Sequence, residues 1–445
     1  MCTFAFCAAQ SFASRVIKRF GMFSLAAMAV LLAHTALAAG PNEDKVPSLA
    51  ELAPPVPNSQ NAALLYLRAF HLYPKDRSAS KLLSDFISLE GARANALVPK
   101  VQAVLQKYGK ALDLVRRAAS MPKCRFPMNW QTTDRFPYYA DLRELARATA
   151  AHAKLCALSG RPHEAAADLQ AGFRMAKHIG EDPTLISVLV EYACIGIASR
   201  AFLSVLETAP PSEKDCEKLN QTLAEMDLNT ALVRALQGEL ALSMRAPQST
   251  SSGQASGSAC IGGGRLPSGR TPGVFTETSS LLAYLSQTLL YMAYRERLKG
   301  VVQAIEASDT GIAAVKQISE QAKQSETTAS IGVDLRGIAK THYEHSARLA
   351  LMRWALALEV YRKRTGSYPG TLWNVSARLG WKLPKDPITG GGFLYRRRPG
   401  GYVIYSIGWN EKDDGGRNLR EQRIVGATPP PQSGAGADDI ALSLG

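Results

Sequence analysis

Asp413 and Asp414 stand side by side in a glycine-rich turn that opens at Gly408 and closes at Gly415-Gly416. Carboxylates gathered in a loop can serve calcium, which takes roughly six to eight oxygens from carboxylates, amides and carbonyls. This loop is the best candidate site in the chain, and a solvated acidic turn is the alternative. Other chemistry-bearing residues are less specific. His342-Tyr343-Glu344-His345 sets two imidazoles one helical turn apart, but it is neither H-E-x-x-H nor H-x-x-E-H, so a polar helix face is expected. No G-x-S-x-G occurs. Gly262-Gly263-Gly264 lacks a preceding strand and a following Lys-Ser/Thr, which excludes a phosphate loop. Glu181-Asp182 falls at a helix end, where capping accounts for it. Arg396-Arg397-Arg398 follows a strand and reads as a solvated edge that discourages strand pairing. A hydrolase would have to assemble its site from distant residues such as Asp134, His152 and His178.

The elements that must position these residues are mainly helical. Helices are expected from Asn61 to a break at Pro74, from Lys81 to Leu89, and from Pro99 to Ala119. Met121 to Pro137 is a proline-rich, non-helical stretch whose Phe126, Trp130 and Phe136 pack a long loop onto the helices. Leu142, Leu145, Ala146, Thr149, Ala153 and Cys156 recur at three- and four-residue steps and share one helix face. Gly160-Arg161-Pro162 turns the chain into a second helix carrying Ala165, Leu169, Phe173 and Ala176. Leu185 to Leu206 is a further, very apolar helix, and residues 213–245 add another helix or pair. Pro247 to Gly273 is rich in Ser and Gly without apolar period, as in a flexible linker. Helices resume over 276–325. Leu349 to Val360 is apolar except at Arg353 and Glu359, so that helix is buried on most sides. Phe393-Leu394-Tyr395, Tyr402 to Ile407 and Ile440 to Leu444 read as short strands.

The expected class is mainly α: a repeat-like helical domain, then a small α+β domain with one long helix on an antiparallel sheet. The expected division is 1–39, a signal peptide; 40–60, an extended segment; 61–246, the helical domain; 247–273, the Ser/Gly-rich segment; 274–340, its helical continuation; and 341–445, the α+β domain.

Residues 1–39 have the parts export requires. Arg15, Lys18 and Arg19 precede an uncharged apolar run, Phe20 to Ala33, and Ala36-Leu37-Ala38 offers a cleavage site. An uncleaved anchor is the alternative, since Gly21 to Ala39 approaches the roughly 20 residues that span a bilayer. The chain carries a net charge of +14. A positive balance favours anionic partners such as acidic lipid or wall polymer. Five cysteines follow the leader, at 124, 156, 194, 216 and 260, without C-x-x-C, so zinc-ribbon and thioredoxin-type chemistry lack support. Cys156 and Cys194 are expected as buried apolar residues.

Two resemblances add to this reading. The spacing of Gly160, Ala165, Leu169 and Gly172 resembles a single tetratricopeptide repeat. From about residue 346 onward the chain resembles the soluble domain of the type II secretion major pseudopilin. That likeness rests on Ala355-Leu356-Ala357-Leu358-Glu359-Val360-Tyr361, Gly366-Ser367-Tyr368-Pro369, Leu383-Pro384-Lys385-Asp386-Pro387 and Tyr402-Val403-Ile404-Tyr405-Ser406-Ile407-Gly408. Gly415-Gly416 and Asp439-Ile440 continue it in order. The whole chain is also similar to a group of uncharacterised exported bacterial proteins. The pseudopilin resemblance implies calcium, with the Ile407 carbonyl as a backbone ligand, Asn410 at the first acidic position and Asp438 or Asp439 at the later one; Asp413 and Asp414 lie nearby. The chain departs from a pilus subunit in two ways. Ala26 stands where the leader would carry Glu, and the matching helix lies far from any membrane segment. A long insertion, Arg417 to Gly436, interrupts the loop.

These features lead to an exported, non-enzymatic protein of the periplasm or cell envelope. Its helical domain is expected to be an interaction scaffold and its pseudopilin-like module a docking element. Its partners are expected to be other envelope proteins, not nucleic acid, with membrane contact only through an uncleaved leader. The alternatives are an exported hydrolase and a binder of anionic wall polymer or lipid. A concave pocket with converging buried titratable groups would favour the enzyme, and a broad groove the scaffold.

Overall fold

The helical spacing over 141–207 is realised as three helices packed on one another. In a computed structural model, residues 46–127, 137–243, 276–324, 334–417 and 438–444 are described, with only the backbone for 276–291 and Gln324. The helices are α1 (Leu49–Leu52), α2 (Ala63–Ala69), α3 (Arg77–Ser88), α4 (Gly91–Ala119), α5 (Tyr139–Leu158), α6 (Pro162–Gly180), α7 (Leu185–Thr208), α8 (Glu213–Ala224), α9 (Leu228–Ser243), α10 (Thr276–Ala307), α11 (Gly311–Gln324), α12 (Leu335–Thr365) and α13 (Leu372–Leu379). The strands are β1 (Leu394–Arg398), β2 (Gly401–Ser406) and β3 (Ile440–Leu444). The chain is thus mainly α, with a small antiparallel sheet of order β1-β2-β3 near its C-terminal end. The leader, the Ser/Gly-rich segment, Trp130, Asp134, Phe136 and Cys260 lie outside the described residues.

Helices α5, α6 and α7 pack mutually and form the centre, with α3 and α4 against α5. Small residues allow the close approach: Gly172 faces Ala198 and Thr149 across the helix contacts. Among the described residues α7 alone is long and apolar enough to cross a membrane, yet its place is the core of this layer. Cys156 and Cys194 are buried within it, and with Cys124 and Cys216 they are free thiols. Helix α4 begins at Gly91, eight residues before the expected start, and runs through Pro99. An internal proline removes one backbone donor, and burial of Ala94, Val101 and Leu105 offsets that loss. Phe126 anchors the loop after α4 as expected, stacked on Tyr138 at 4.8 Å and beside Tyr66 at 6.1 Å.

Helix α12 is covered by α7, α8, α11, α13 and two strands, which is why its stretch 349–360 is apolar on nearly every face. The two polar residues of that stretch are satisfied. Arg353 donates to Asn220 on α8 at 2.9 Å and to the Lys382 carbonyl at 2.7 Å. Glu359 is buried, pairs with Arg362 at 2.8 Å and accepts from the Tyr368 hydroxyl. The boundary expected between 340 and 341 falls inside this helix, and Pro47–Gly445 forms one compact unit. The tail is therefore built onto the helical body through a shared helix. Pro399 and Gly400 turn β1 into β2, and Gly400 takes φ +78°, the value a type II turn needs at its third position. The arginines of β1 are exposed on an edge strand, as expected.

Candidate functional site

The acidic loop expected to bind calcium closes onto the start of β3. Gly408 lies so near Asp438 that a Cβ there would overlap its carbonyl oxygen. The Asn410 N–H donates to Asp438 Oδ1 at 3.3 Å, and the Gly416 N–H donates to Asp439 Oδ2 at 2.8 Å. Asp414 accepts from the Asn410 side-chain amide at 2.8 Å, and Asp413 accepts from the Tyr405 hydroxyl at 2.8 Å. Asn410, Asp413, Asp414, Asp438 and Asp439 thus come together beside Ile407, where β2 ends. Burial raises Asp439 to about 6, and the carboxylates of Asp414 and Asp413 add to the rise. Hydrogen bonds from N–H and O–H groups already engage these oxygens, so the loop is ordered by its own donors. Arg417 continues this pattern, donating from Nε to the Asp414 carbonyl at 2.7 Å; Arg420 and Arg423 lie outside the described residues.

Of the distant hydrolase set, Asp134 lies outside the described residues, and His152 and His178 have separate partners. His178 is buried, lies 3.0 Å from the Tyr66 hydroxyl and also bonds the Met121 backbone, and burial lowers it to about 4. His152 is held by Asp168 at 2.5 Å. The His342–His345 pair also differs from its expectation. His342 is fully buried, because α12 is covered on this side by α7 and α9. Its Nδ1 lies 2.8 Å from the Tyr192 hydroxyl and its Nε2 2.6 Å from Asn229 Oδ1. His345 stacks on Tyr192 at 4.9 Å. The polar face read from sequence is a buried hydrogen-bond chain.

A site that sequence reasoning missed lies where α1, the end of α6, α9 and the end of α10 meet. They enclose an open cleft of about 670 Å³ lined by Glu51, Arg125, Glu181, Asn229, Arg234 and Glu306, among others. Each wall is fixed locally. A capping box between Ser48 and Glu51 shapes α1. Asn61 brackets Arg125, donating to its carbonyl at 2.9 Å and accepting its N–H at 2.8 Å. The Arg125 guanidinium in turn donates to the Glu181 carbonyl and to Asp182, both at 3.0 Å. Glu181 is the C-cap of α6, as expected of a helix end, while wholly buried Asp182 is turned to Arg125; Thr184 caps α7, accepting from the Ser187 N–H.

Carboxylates in and behind the cleft have raised pKa values. Burial lifts Asp182 to about 7, against the pull of Arg125. Burial also raises Glu181, opposed by the Cys124 N–H, Arg125 and Arg234. Glu191, one layer deeper on α7, is raised well above the usual carboxylate range by burial. The missing Cβ of Gly180 leaves room for its carboxyl. Arg234 projects from α9 with one long contact, 3.5 Å to the Glu181 carbonyl, among the described residues. The cleft thus sets a half-buried guanidinium among carboxyls whose pKa values burial has raised. One signal for it was present in the sequence: Glu191 inside an otherwise apolar helix, which must have a neighbourhood that tolerates it.

Compared with known proteins, the chain matches no protein-family model, no curated protein and no solved structure.

Proposed function

We propose that this is an exported envelope protein that binds rather than transforms its partner, and that the cleft at Arg234 receives a carboxylate-bearing segment of another envelope protein. The observation behind this reading is Arg234 itself, half-buried, open to the cleft and making a single long hydrogen bond among the described residues. A guanidinium suits a carboxylate because its paired N–H groups match two oxygens. Arg125 does not compete for the ligand, since Asp182 and the Glu181 carbonyl hold it. The expected result is retention of an envelope protein on the immobilised mature chain, reduced at least about tenfold by Arg234→Glu, because truncating or reversing a desolvated charge costs about 2 kcal/mol or more. Undiminished retention by Arg234→Glu contradicts the proposal.

A hydrolytic reading has one observation in its favour: Glu181, raised by burial beside Arg234 and Asn229, resembles a general acid. In that case Glu181→Gln abolishes turnover of the bound partner while leaving its retention intact.

Calcium at the acidic loop is a separate proposal, supported by the convergence of Asn410, Asp413, Asp414, Asp438 and Asp439. Calcium then raises the melting temperature of the intact protein, chelator reverses the rise, and Asp439→Ala weakens it. Millimolar calcium without heat or a melting shift overturns it.

A further inference from the structure

The hairpin of α5 and α6 carries two pairs of ligand-type residues, each four apart: His152 and Cys156 on α5, and Glu164 and Asp168 on α6. Residues four apart stack on one helix face. The turn at Ser159 to Arg161, with Gly160 at φ +69°, folds the two faces together. His152 Nδ1 lies 2.5 Å from Asp168 Oδ2 and 3.4 Å from Cys156 Sγ. These three ligand atoms all lie within 4.8 Å of one another. Glu164 Oε2 is 3.9 Å from the same sulfur.

We propose that His152, Cys156 and Asp168, joined by Glu164, form a binding site for zinc or a similar divalent transition metal that staples the α5–α6 hairpin. The donor set is one imidazole nitrogen, one thiolate sulfur and carboxylate oxygen, which suits a tetrahedral zinc ion. The spacing agrees. Bonds of about 2.0 to 2.3 Å at tetrahedral angles put nitrogen and sulfur roughly 3.5 Å apart. The His152–Asp168 pair is closer because a proton joins it, and the ion takes that proton's place as the pair widens. Glu164 enters by a side-chain rotation away from Arg161, which it contacts at 2.7 Å on the half-exposed surface.

The surroundings fit a second shell. Arg116 donates from Nε to Asp168 Oδ1 at 2.7 Å, which leaves Oδ2 to face the ion and fixes the carboxylate plane. Its Nη2 also lies 3.3 Å from His152 Nδ1. Arginine only donates and a carboxylate only accepts, so the 2.5 Å approach places the Nδ1 proton toward Asp168. A divalent ion that displaces this proton and the Cys156 proton leaves the net charge of the cluster unchanged. The neighbouring arginines therefore stay where they are. Four protein ligands close the coordination, as in structural rather than catalytic sites. This site is distinct from the Arg234 cleft, and neither proposal depends on the other.

Cobalt(II) is the probe, because a tetrahedral site with a thiolate gives it intense visible bands and a thiolate charge-transfer band. Chelator-treated mature protein is titrated with cobalt, then with zinc. The expected result is saturation at one ion per chain, a thiolate band that zinc abolishes, and a higher melting temperature with zinc. Cys156→Ser removes the band while Cys216→Ser keeps it. Glu164→Gln, on a half-exposed side chain that the fold does not require, weakens cobalt affinity by about tenfold or more. Absence of a saturable band in the wild type overturns the proposal, as does a band that survives Cys156→Ser or an affinity unmoved by Glu164→Gln.

Discussion

Gly238→Ala will destabilise the protein by about 3 kcal/mol or more, where helix propensity alone would have it stabilise by about 0.5 to 1 kcal/mol. Gly238 lies inside α9 without unusual backbone torsion. A Cβ at this position would overlap the carbonyl oxygen of Pro183. That carbonyl cannot retreat. Asp182 before it is paired with Arg125, and Thr184 after it caps α7. Glu239, next to Gly238, accepts the Leu185 N–H at 3.1 Å and ties α9 to the same corner. Relief must come from α9 moving outward, which also displaces Asn229 and Arg234 on the cleft wall. Urea denaturation measures the stability change, and partner retention should fall with it. A change within about 0.5 kcal/mol would show that α9 does not rest on the Pro183 corner.

The second large effect is His342→Phe, expected to cost about 2 to 4 kcal/mol at neutral pH. The buried Tyr192 hydroxyl loses its partner, as does the Asn229 amide, which is exposed on the cleft wall. His342 is neutral in the folded protein, since burial lowers it to about 4. The Nε2–H then donates to Asn229 Oδ1 and Nδ1 accepts from the Tyr192 hydroxyl. The groups facing it are Tyr343 and His345 on α12, Tyr192 on α7, and Asn229 with the more distant Asp227 near the start of α9. The unfolded chain takes up the proton near pH 6.5, and the folded chain near 4. Stability therefore falls with acidification across this window, because the unfolded state binds more protons there. His345 and His178, lowered by burial to about 3 and 4, act in the same direction. Asp182 and Asp439, raised to about 7 and 6, act oppositely: they hold protons in the folded state, and their contribution is lost as pH rises through those values. His342→Phe removes one titrating group, so its deficit relative to wild type narrows as pH falls from 6.5 to 4. A deficit constant over that range contradicts a neutral buried His342.

Much of this fold was legible because apolar periodicity reports burial directly. The α5–α6 hairpin, the apolar α7, the all-round apolar stretch of α12 and the three strands follow from spacing and turn residues alone. The start of α4 was not legible, because a proline inside a helix reads locally as a boundary. Polar residues proved harder. Glu181-Asp182 looked like capping residues, yet Arg125 from a loop more than fifty positions away makes Asp182 half of a buried ion pair. His342 and His345 read only as a polar helix face because their neighbours Tyr192 and Asn229 lie on other elements. The acidic loop and the Asp438-Asp439 pair meet because β2 pairs with β3, which brings them together across a long insertion in the sequence. Whether a polar side chain is buried, paired or free depends on contacts between distant segments, which local spacing does not encode.

The Arg234 cleft, on the function proposed above, receives a partner's carboxylate-bearing segment and leaves it intact. A photo-crosslinking residue at Gln237, on the cleft wall, tests this in cells, with the exposed Lys100 as the control position. Mass spectrometry of the adduct should show one envelope protein joined at Gln237 and not at Lys100, through an uncleaved segment containing Asp, Glu or a C-terminal carboxylate. Arg234→Glu should abolish that adduct. Equal crosslinking at both positions, an adduct that persists in Arg234→Glu, or a partner cut within the cleft would contradict the account.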